Sequence, residues 1–322
     1  MSCGIKGRAL LCWGDNDYGA VGDGTTTDRH VPTPVSGLTE VTSVSVAPGA
    51  PMTCAVSKGQ VYCWGQDIVT GDVRRTPVVV DGISNVSSVS AGLTSCAVRR
   101  AEVWCWGNNS YGNAGNGKIG GSVPDPTKVV GLDNVASVST AVGSACAITR
   151  AQELYCWGLN ANGQVGDGTQ ENRATPVKIT GLRSVTSVSL SPQNTCAVAE
   201  STVYCWGFST GQYPAGTEDE HLAPERVDGI EGARQVVSVG DSGCASVISG
   251  DVQCFGAFDT SSEPGPTELS GLDHVTQLLG AATMCAISAG QLYCWGLNNS
   301  GQLGNGTTTA SLNQPVRVRD PE

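Results

Sequence analysis

Seven times along this chain, two cysteines stand with eight or nine residues between them, the second followed at once by an aromatic residue and a glycine. The copy read from Thr53 to Gly65, Thr-Cys-Ala-Val-Ser-Lys-Gly-Gln-Val-Tyr-Cys-Trp-Gly, shows the pattern in full. The second cysteines fall at 12, 63, 105, 156, 205, 254 and 294, so the steps are 51, 42, 51, 49, 49 and 40 residues. Self-similarity at that period means one supersecondary unit stacked many times, and it constrains the fold more than any other feature.

The spacing has a geometric meaning. With a two-residue turn at Lys58-Gly59, Ser57 and Gln60 close a hairpin as a hydrogen-bonded pair. Counting outward makes 56/61 non-hydrogen-bonded, 55/62 hydrogen-bonded and 54/63 non-hydrogen-bonded. Non-hydrogen-bonded partners approach to roughly 4.5 Å between Cα atoms, at the short end of disulfide reach. The two pairs with nine intervening residues, Cys146/Cys156 and Cys244/Cys254, fit a three-residue loop or a bulge. The expectation is seven cross-strand disulfides: Cys3–Cys12, Cys54–Cys63, Cys96–Cys105, Cys146–Cys156, Cys196–Cys205, Cys244–Cys254 and Cys285–Cys294. Zinc ligation and free buried thiols are the competing readings, but no C-x-x-C occurs, and His30, His221 and His274 lie at no ligand spacing. Period two puts Cys63 on one sheet face and Tyr62 and Trp64 on the other. Trp13, Trp64, Trp106, Trp157, Trp206 and Trp295 share one register, with Phe255 in the sixth copy, and are expected to form core between neighbouring sheets.

Between hairpins each unit carries a polar Gly-rich loop, such as Asn160-Ala-Asn-Gly-Gln-Val-Gly-Asp-Gly-Thr169. A Pro-Val segment follows (Thr33-Pro34-Val35, Thr175-Pro176-Val177), suited to an edge strand, then a Gly-Leu or Gly-Ile turn. Last comes a strand of the form Val-Thr-Ser-Val-Ser: Val41–Ser45, Val86–Ser90, Val135–Ser139, Val185–Ser189, and looser copies at Val236–Gly240 and Val275–Leu279. Four strands per unit, the first rich in small residues and the last bearing proline, read as a propeller blade running from axis to rim. The fold class is all-β: a seven-bladed β-propeller of four-stranded blades, occupying 1–322 as a single domain. Seven hairpins face only six Val-Thr-Ser-Val-Ser strands. The first blade is therefore expected to lack its innermost strand, or to receive it from residues upstream of Met1, the alternative favoured here.

The run Trp-Gly…Gly-Gln-Leu-Gly-Asn-Gly-Thr…Pro-Val…Gly-Leu…Val-Thr-Ser-Val-Ser resembles the regulator of chromosome condensation family of seven-bladed propellers over essentially the whole chain. The cysteine-paired version is similar to a secreted bacterial branch of that family. The resemblance implies roles in protein binding; relatives include a β-lactamase inhibitory protein that clamps its target with loops of one propeller face. Two other family roles fit poorly. A chromatin-bound exchange factor works in a reducing setting, and the plant ultraviolet receptor's Gly-Trp-Arg-His-Thr motif is absent, only Trp104 lying outside the repeated tryptophan register.

Charge and cysteine content bound the function. A net charge of −11 argues against nucleic acid and anionic membranes as partners, and no run of eighteen apolar residues is present to insert in a bilayer. Fourteen cysteines in even pairs imply an oxidising compartment, hence an extracellular, cell-surface or periplasmic location. Met1 runs almost directly into the first hairpin, so export rests on the cysteines alone.

Several motifs are better explained by the repeat. Gly112-Asn-Ala-Gly-Asn-Gly117-Lys118 matches a phosphate-loop expression but is the third copy of the Gly-rich loop, with Ile119 where a Ser/Thr should be. Asp15, Asp17, Asp23, Asp167 and Glu218-Asp219-Glu220 could attract calcium, yet no EF-hand or nonapeptide spacing occurs, so neither metal nor cofactor is expected. The sequons at Asn85, Asn108, Asn298 and Asn305 read as turn asparagines. Three histidines in unrelated repeat positions offer no nucleophile–base pair, so no enzyme activity is expected.

What remains is recognition. Strand alternation puts the loops after the first and third strands of each blade on one face and the hairpin turns on the other. The long, variable loops make the former the candidate binding face. Its aromatics are Tyr18, Tyr111, Phe208, Tyr213 and Phe258, and with Glu218, Asp219 and Glu220 they form the candidate partner-binding set. Such a surface suits a basic protein partner, with a glycan-binding adhesin or lectin as the alternative. Blades two and six have short loops there, so the rim of any site should be lower at those blades. The propeller is expected to be monomeric.

Overall fold

In a computed structural model that describes residues 1–67, 69–208, 220–240, 242–256, 266–280 and 283–321, the chain forms seven antiparallel sheets in a propeller. Blade 1 comprises Ser2–Lys6, Ala9–Gly14 and Arg29–Pro34; the other blades have four strands each. Blade 2 runs through Val41–Val46, Met52–Ser57, Gln60–Gln66 and Val73–Ser84, and blade 3 through Val86–Ser90, Thr94–Arg99, Glu102–Asn108 and Ser122–Lys128. Blades 4, 5, 6 and 7 begin at Val135, Val185, Ala233 and Val275. In every complete blade, strand order follows chain order from axis to rim.

The hairpin register is the one expected from the cysteine spacing. Ser57 faces Gln60, Val56 faces Val61, Ala55 faces Tyr62, and Cys54 faces Cys63. All seven within-blade disulfides are present, with Cα atoms 4.0–4.1 Å apart. The two longer hairpins use three-residue loops: Thr149 N–H bonds Glu153 O and Val247 N–H bonds Asp251 O, with Gln152 (φ 60°) and Gly250 (φ 98°) in the left-handed region. The shorter hairpins place both turn residues at positive φ. Lys58-Gly59 suits that conformation, whereas Arg100-Ala101 (φ 51° and 62°) and Glu200-Ser201 (φ 49° and 60°) adopt it without glycine.

Alternation along the third strand gives each blade two unlike faces, and the propeller stacks one on the other. The sulfurs of one blade lie in the same core cluster as the aromatic of the next. Cys12 meets Trp64, Cys96 and Cys105 meet Trp157, Cys146 and Cys156 meet Trp206, Cys196 and Cys205 meet Phe255, Cys244 and Cys254 meet Trp295, and Cys294 meets Trp13. Trp13, Trp64, Trp157, Trp206 and Trp295 are at most 1% exposed and Phe255 is 2%. Trp106 is the exception: it is only partly buried against the blade 2 cluster.

Around the axis, the serines of the innermost strands bridge blades that share no ladder there. Ser43 and Ser45 hydroxyls accept the N–H groups of Val89 (3.3 Å) and Ala91 (3.0 Å). Ser90 accepts Thr140 N–H (3.0 Å), and Ser187 and Ser189 accept Val236 (3.2 Å) and Ser238 (3.0 Å). Buried backbone donors need such partners, and a short hydroxyl reaches them where the strands crowd. In blade 6 Gln235 takes over, its Oε1 accepting Leu278 N–H at 2.8 Å.

The ring closes between blades 7 and 1. Trp13 Nε1–H and Ser2 Oγ–H both donate to Gln302 O at 2.9 Å, and Lys6 pairs with Asp320 at 2.8 Å. On the axis side of Ser2–Lys6, no strand lies among the described residues. Ile5 and Leu279, beside that opening, are 40% and 49% exposed. Cys3 and Cys285 are also partly exposed, whereas the first cysteine of every other pair is 0% exposed.

Two measurements follow. Timed reduction with dithiothreitol, read by alkylation and mass spectrometry, should open Cys3–Cys12 and Cys285–Cys294 before the other five, because thiolate attack requires access. Replacing Arg100-Ala101 by Asn-Gly should raise stability to denaturant by about 1 kcal/mol, since that dipeptide favours the conformation already adopted.

Candidate functional site

Among the described residues, one device recurs in the loops of four blades. In blades 1, 3, 4 and 7 a buried asparagine follows the third strand: Asn16, Asn109, Asn160 and Asn298, none more than 1% exposed. Each side-chain oxygen accepts the N–H five residues on, in Val21, Ala114, Val165 and Leu303, at 2.8–2.9 Å. The amide nitrogens donate to carbonyls across the loop, as Asn160 does to Thr169 O (2.8 Å) and Glu171 O (3.1 Å). Asn298 thus has its side-chain amide engaged inside the loop, as a turn asparagine should. One primary amide supplies both a donor and an acceptor, so one side chain holds both arms of the loop.

The pinned loop then reaches over the next blade. Its first glycine lies against that blade's outer strand and its second against the repeated tryptophan. A Cβ on Gly22 would meet Trp64 Nε1 at 2.5 Å, and one on Gly166 would meet Trp206 Nε1 at 2.4 Å. A Cβ on Gly304 would meet Trp13 Nε1 at 2.6 Å, and one on Gly115 would meet Trp157 Nε1 at 2.9 Å. The indoles answer by donating to the loop: Trp64 to Ala20 O (2.8 Å), Trp157 to Asn113 O (2.9 Å) and Trp206 to Gln164 O (3.0 Å). Gly-x-x-Gly here is a packing motif, and Gly112–Lys118 is such a loop.

Blade 2 has no Gly-x-x-Gly. Its loop from Gln66 to Val73 turns back on itself, with Asp67 N–H bonding Asp72 O and Gly71 N–H bonding Asp67 O. Trp106 is left only partly buried. A cleft of about 310 Å³ lies instead between blades 2 and 3, lined by Trp106, Leu93, Val79, Val80, Asp81, Pro124, Asp125 and Pro126, with Asp67 and Arg74 at the loop end. The lowered rim expected at blade 2 is this cleft; the loop of blade 6, 257–265, lies outside the described residues.

This geometry can be set beside known proteins. A family model described as the regulator of chromosome condensation (RCC1) repeat matches residues 9–56, 153–198 and 289–322. The first two matches run from the third strand of one blade to the second strand of the next. Over those residues the chain is similar to RCC1 repeats, and its fold is a seven-bladed β-propeller. It is 28% identical over 338 residues to the ultraviolet-B receptor UVR8 of Arabidopsis thaliana, a match spanning 99% of this chain and 67% of that protein. It is 27% identical over 346 residues to the human E3 ubiquitin-protein ligase HERC2, spanning 96% of this chain but 7% of that one. Among solved structures, it is similar to human WBSCR16 (TM-score 0.87, 21% identity, 98% of this chain and 95% of that one). It is also similar to Prp20p of Saccharomyces cerevisiae (TM-score 0.79, 17% identity, 99% and 88%). At those identities the structures establish the shared fold.

Within the propeller, the residues singled out from sequence are dispersed. Tyr18 and Tyr111, each 42% exposed, stand on the loops of blades 1 and 3 with blade 2 between them. Phe208 is half-buried at the end of the third strand of blade 5, its backbone opposite Glu220. Tyr213, Glu218, Asp219 and Phe258 lie outside the described residues, so no aromatic ring can be drawn from them. Asp81 and Asp125 escaped the sequence reading, and Trp106 was expected there to be core. The missing Gly-x-x-Gly of blade 2 is no sufficient signal, because blade 6 lacks it too and the Trp295 that follows is 0% exposed.

The loop acids divide into two kinds. Asp23 and Asp167 are structural: their side chains are only 6% and 5% exposed and pair with Arg29 and Arg173, while Thr25 and Thr169 donate to them. Burial pushes both carboxyls up, but the threonine hydrogen bonds and the guanidiniums outweigh it and hold both below the ordinary aspartate range. Asp15, Asp17 and Asp28 instead gather with ligand oxygens within 4.8 Å of one another, the first two exposed. Asp28 also accepts Asn16 N–H at 2.8 Å.

A depressed folded-state pKa contributes stability above the unfolded value, near 3.9, and loses it as pH falls through the folded one. The double variant Asp23→Asn/Asp167→Asn should therefore unfold more readily than wild type at pH 7, by about 1–3 kcal/mol per site left with an unpaired donor. In denaturant titrations the difference between the two proteins should shrink as pH falls below the ordinary aspartate range and the wild-type carboxyls take up protons.

Proposed function

We propose that this chain is a non-catalytic, exported binding module that engages a protein partner through its loop face. The observation that carries the reading is the contrast between the two ends of the propeller. At one end, loops of differing length are held rigid by buried asparagines and by the next blade's tryptophan. They present Tyr18 near the exposed Asp15 and Asp17, and Tyr111 on a loop that also carries Lys118; Arg29, Arg74 and Arg173 are each tied to a carboxylate. At the other end are short turns carrying Arg8, Lys58, Arg100 and Arg150.

Rigid loops lose little conformational entropy on docking, and half-exposed tyrosines supply contact area at few rotatable bonds. The negative face would steer a basic protein surface toward it. Seven disulfides support an oxidising compartment. RCC1 repeats accompany protein binding in a relative: the Prp20p structure is described together with binding to Gsp1p and histones.

A photocrosslinking amino acid at position 18 or 111, with controls at 58 and 100, tests the reading on secreted or surface protein from the source cells. Discrete protein adducts from 18 and 111, and none from the controls, are expected. Adducts from the hairpin face alone would overturn the choice of face. Glycan-array binding without any protein adduct would favour the lectin alternative.

A further inference from the structure

The cleft between blades 2 and 3 combines four features. Its aromatic floor is Trp106, the one tryptophan of the repeated register that stays partly exposed. Its walls are aliphatic, from Val80, Leu93 and Pro126. Two exposed carboxylates, Asp81 and Asp125, line it, and neither has an ion-pair partner among the described residues. Its one cation, Arg74, is already paired with Asp67 at 3.6 Å. The size, about 310 Å³, is at the low end for ligand sites and suits a side chain with its flanking backbone better than a cofactor.

We infer that this cleft receives a lysine or arginine side chain from an exposed, extended segment of the partner protein. A long basic side chain has an aliphatic stem and a charged head, and it gains from apolar walls along the stem and acids at the head. The face of an indole attracts a cation by its quadrupole, most strongly where water is partly excluded. This chain already makes one such contact within a blade, where the Arg99 guanidinium carbon lies 5.1 Å from the Trp104 ring centroid. An aliphatic side chain would fill the walls but leave Asp81 and Asp125 unanswered, which is why charge selects the occupant.

The assignment deepens the proposed function and rests on it for the identity of the occupant as protein, but its test uses the purified chain alone. Nuclear magnetic resonance of the ¹⁵N-labelled indoles resolves the tryptophan side chains, with Trp106 identified by Trp106→Phe. The probes are acetyl-Gly-Lys-Gly-amide and acetyl-Gly-Arg-Gly-amide, with the leucine and glutamate peptides as controls. The basic peptides should shift the Trp106 signal saturably in the millimolar range and leave the buried indoles unmoved. Added salt should weaken the shift, and Asp81→Asn/Asp125→Asn should weaken binding about fivefold, the size expected for two exposed charge contacts. An equal response to the leucine peptide, undiminished binding by the double variant, or silence toward every peptide would each overturn the assignment. Loop-face crosslinks with a silent cleft would remove this inference alone; peptide binding without crosslinks would remove the partner reading and leave the cleft.

Discussion

The structure depends on one contact repeated around the ring: a disulfide on one blade set against the aromatic of the next. It works because a β-strand sends successive side chains to opposite faces, so Cys-Trp in sequence becomes sulfur on one side of a blade and indole on the other. The sulfur face carries small, polarizable groups, and the indole face carries the bulk that fills the space between sheets. Within the hairpin, the same disulfide closes a loop of about ten residues, worth on the order of 2–3 kcal/mol in the chain-entropy account. The cross-link therefore stabilises each thin blade and also shapes its interface with the neighbour. A blade alone has too little apolar surface to hold itself together, and stacking supplies the rest.

Polar side chains finish what packing begins. Serines on the innermost strands accept backbone N–H groups of the next blade near the axis, where no ladder can form. Asparagines after the third strand do the equivalent work in the loops, and the indole N–H groups donate to those loops in turn. Where one member of this set is omitted, the rest rearranges locally without loss of the blade. Blade 2 keeps its disulfide and its four strands, yet its short loop leaves the tryptophan of blade 3 open to solvent.

Much of the fold was legible because it is written in periods. The cysteine spacing specified hairpin register, the repeat length specified a blade, and Val-Thr-Ser-Val-Ser marked the strand at the axis. The deficit of one such strand matches the three-stranded first sheet. Less was legible at the turns: Arg100-Ala101 and Glu200-Ser201 hold left-handed conformations that their residue types do not announce, because the disulfide-anchored register demands a two-residue turn there. The loop asparagines were visible only as turn formers, since their burial comes from the arms of the loop folding over them.

The amino-acid order alone determined how many blades there are, which cysteines pair and which face each side chain takes, since these follow from local alternation and short hairpins. Tertiary structure decided which aromatics are covered. Trp106 shares the sequence register of the buried tryptophans, yet it is only partly buried and lines a cleft with residues of the preceding blade. Contact between elements distant in sequence is set by how blades stack, and only the assembled ring brings Asp81, Asp125 and that indole to one cleft.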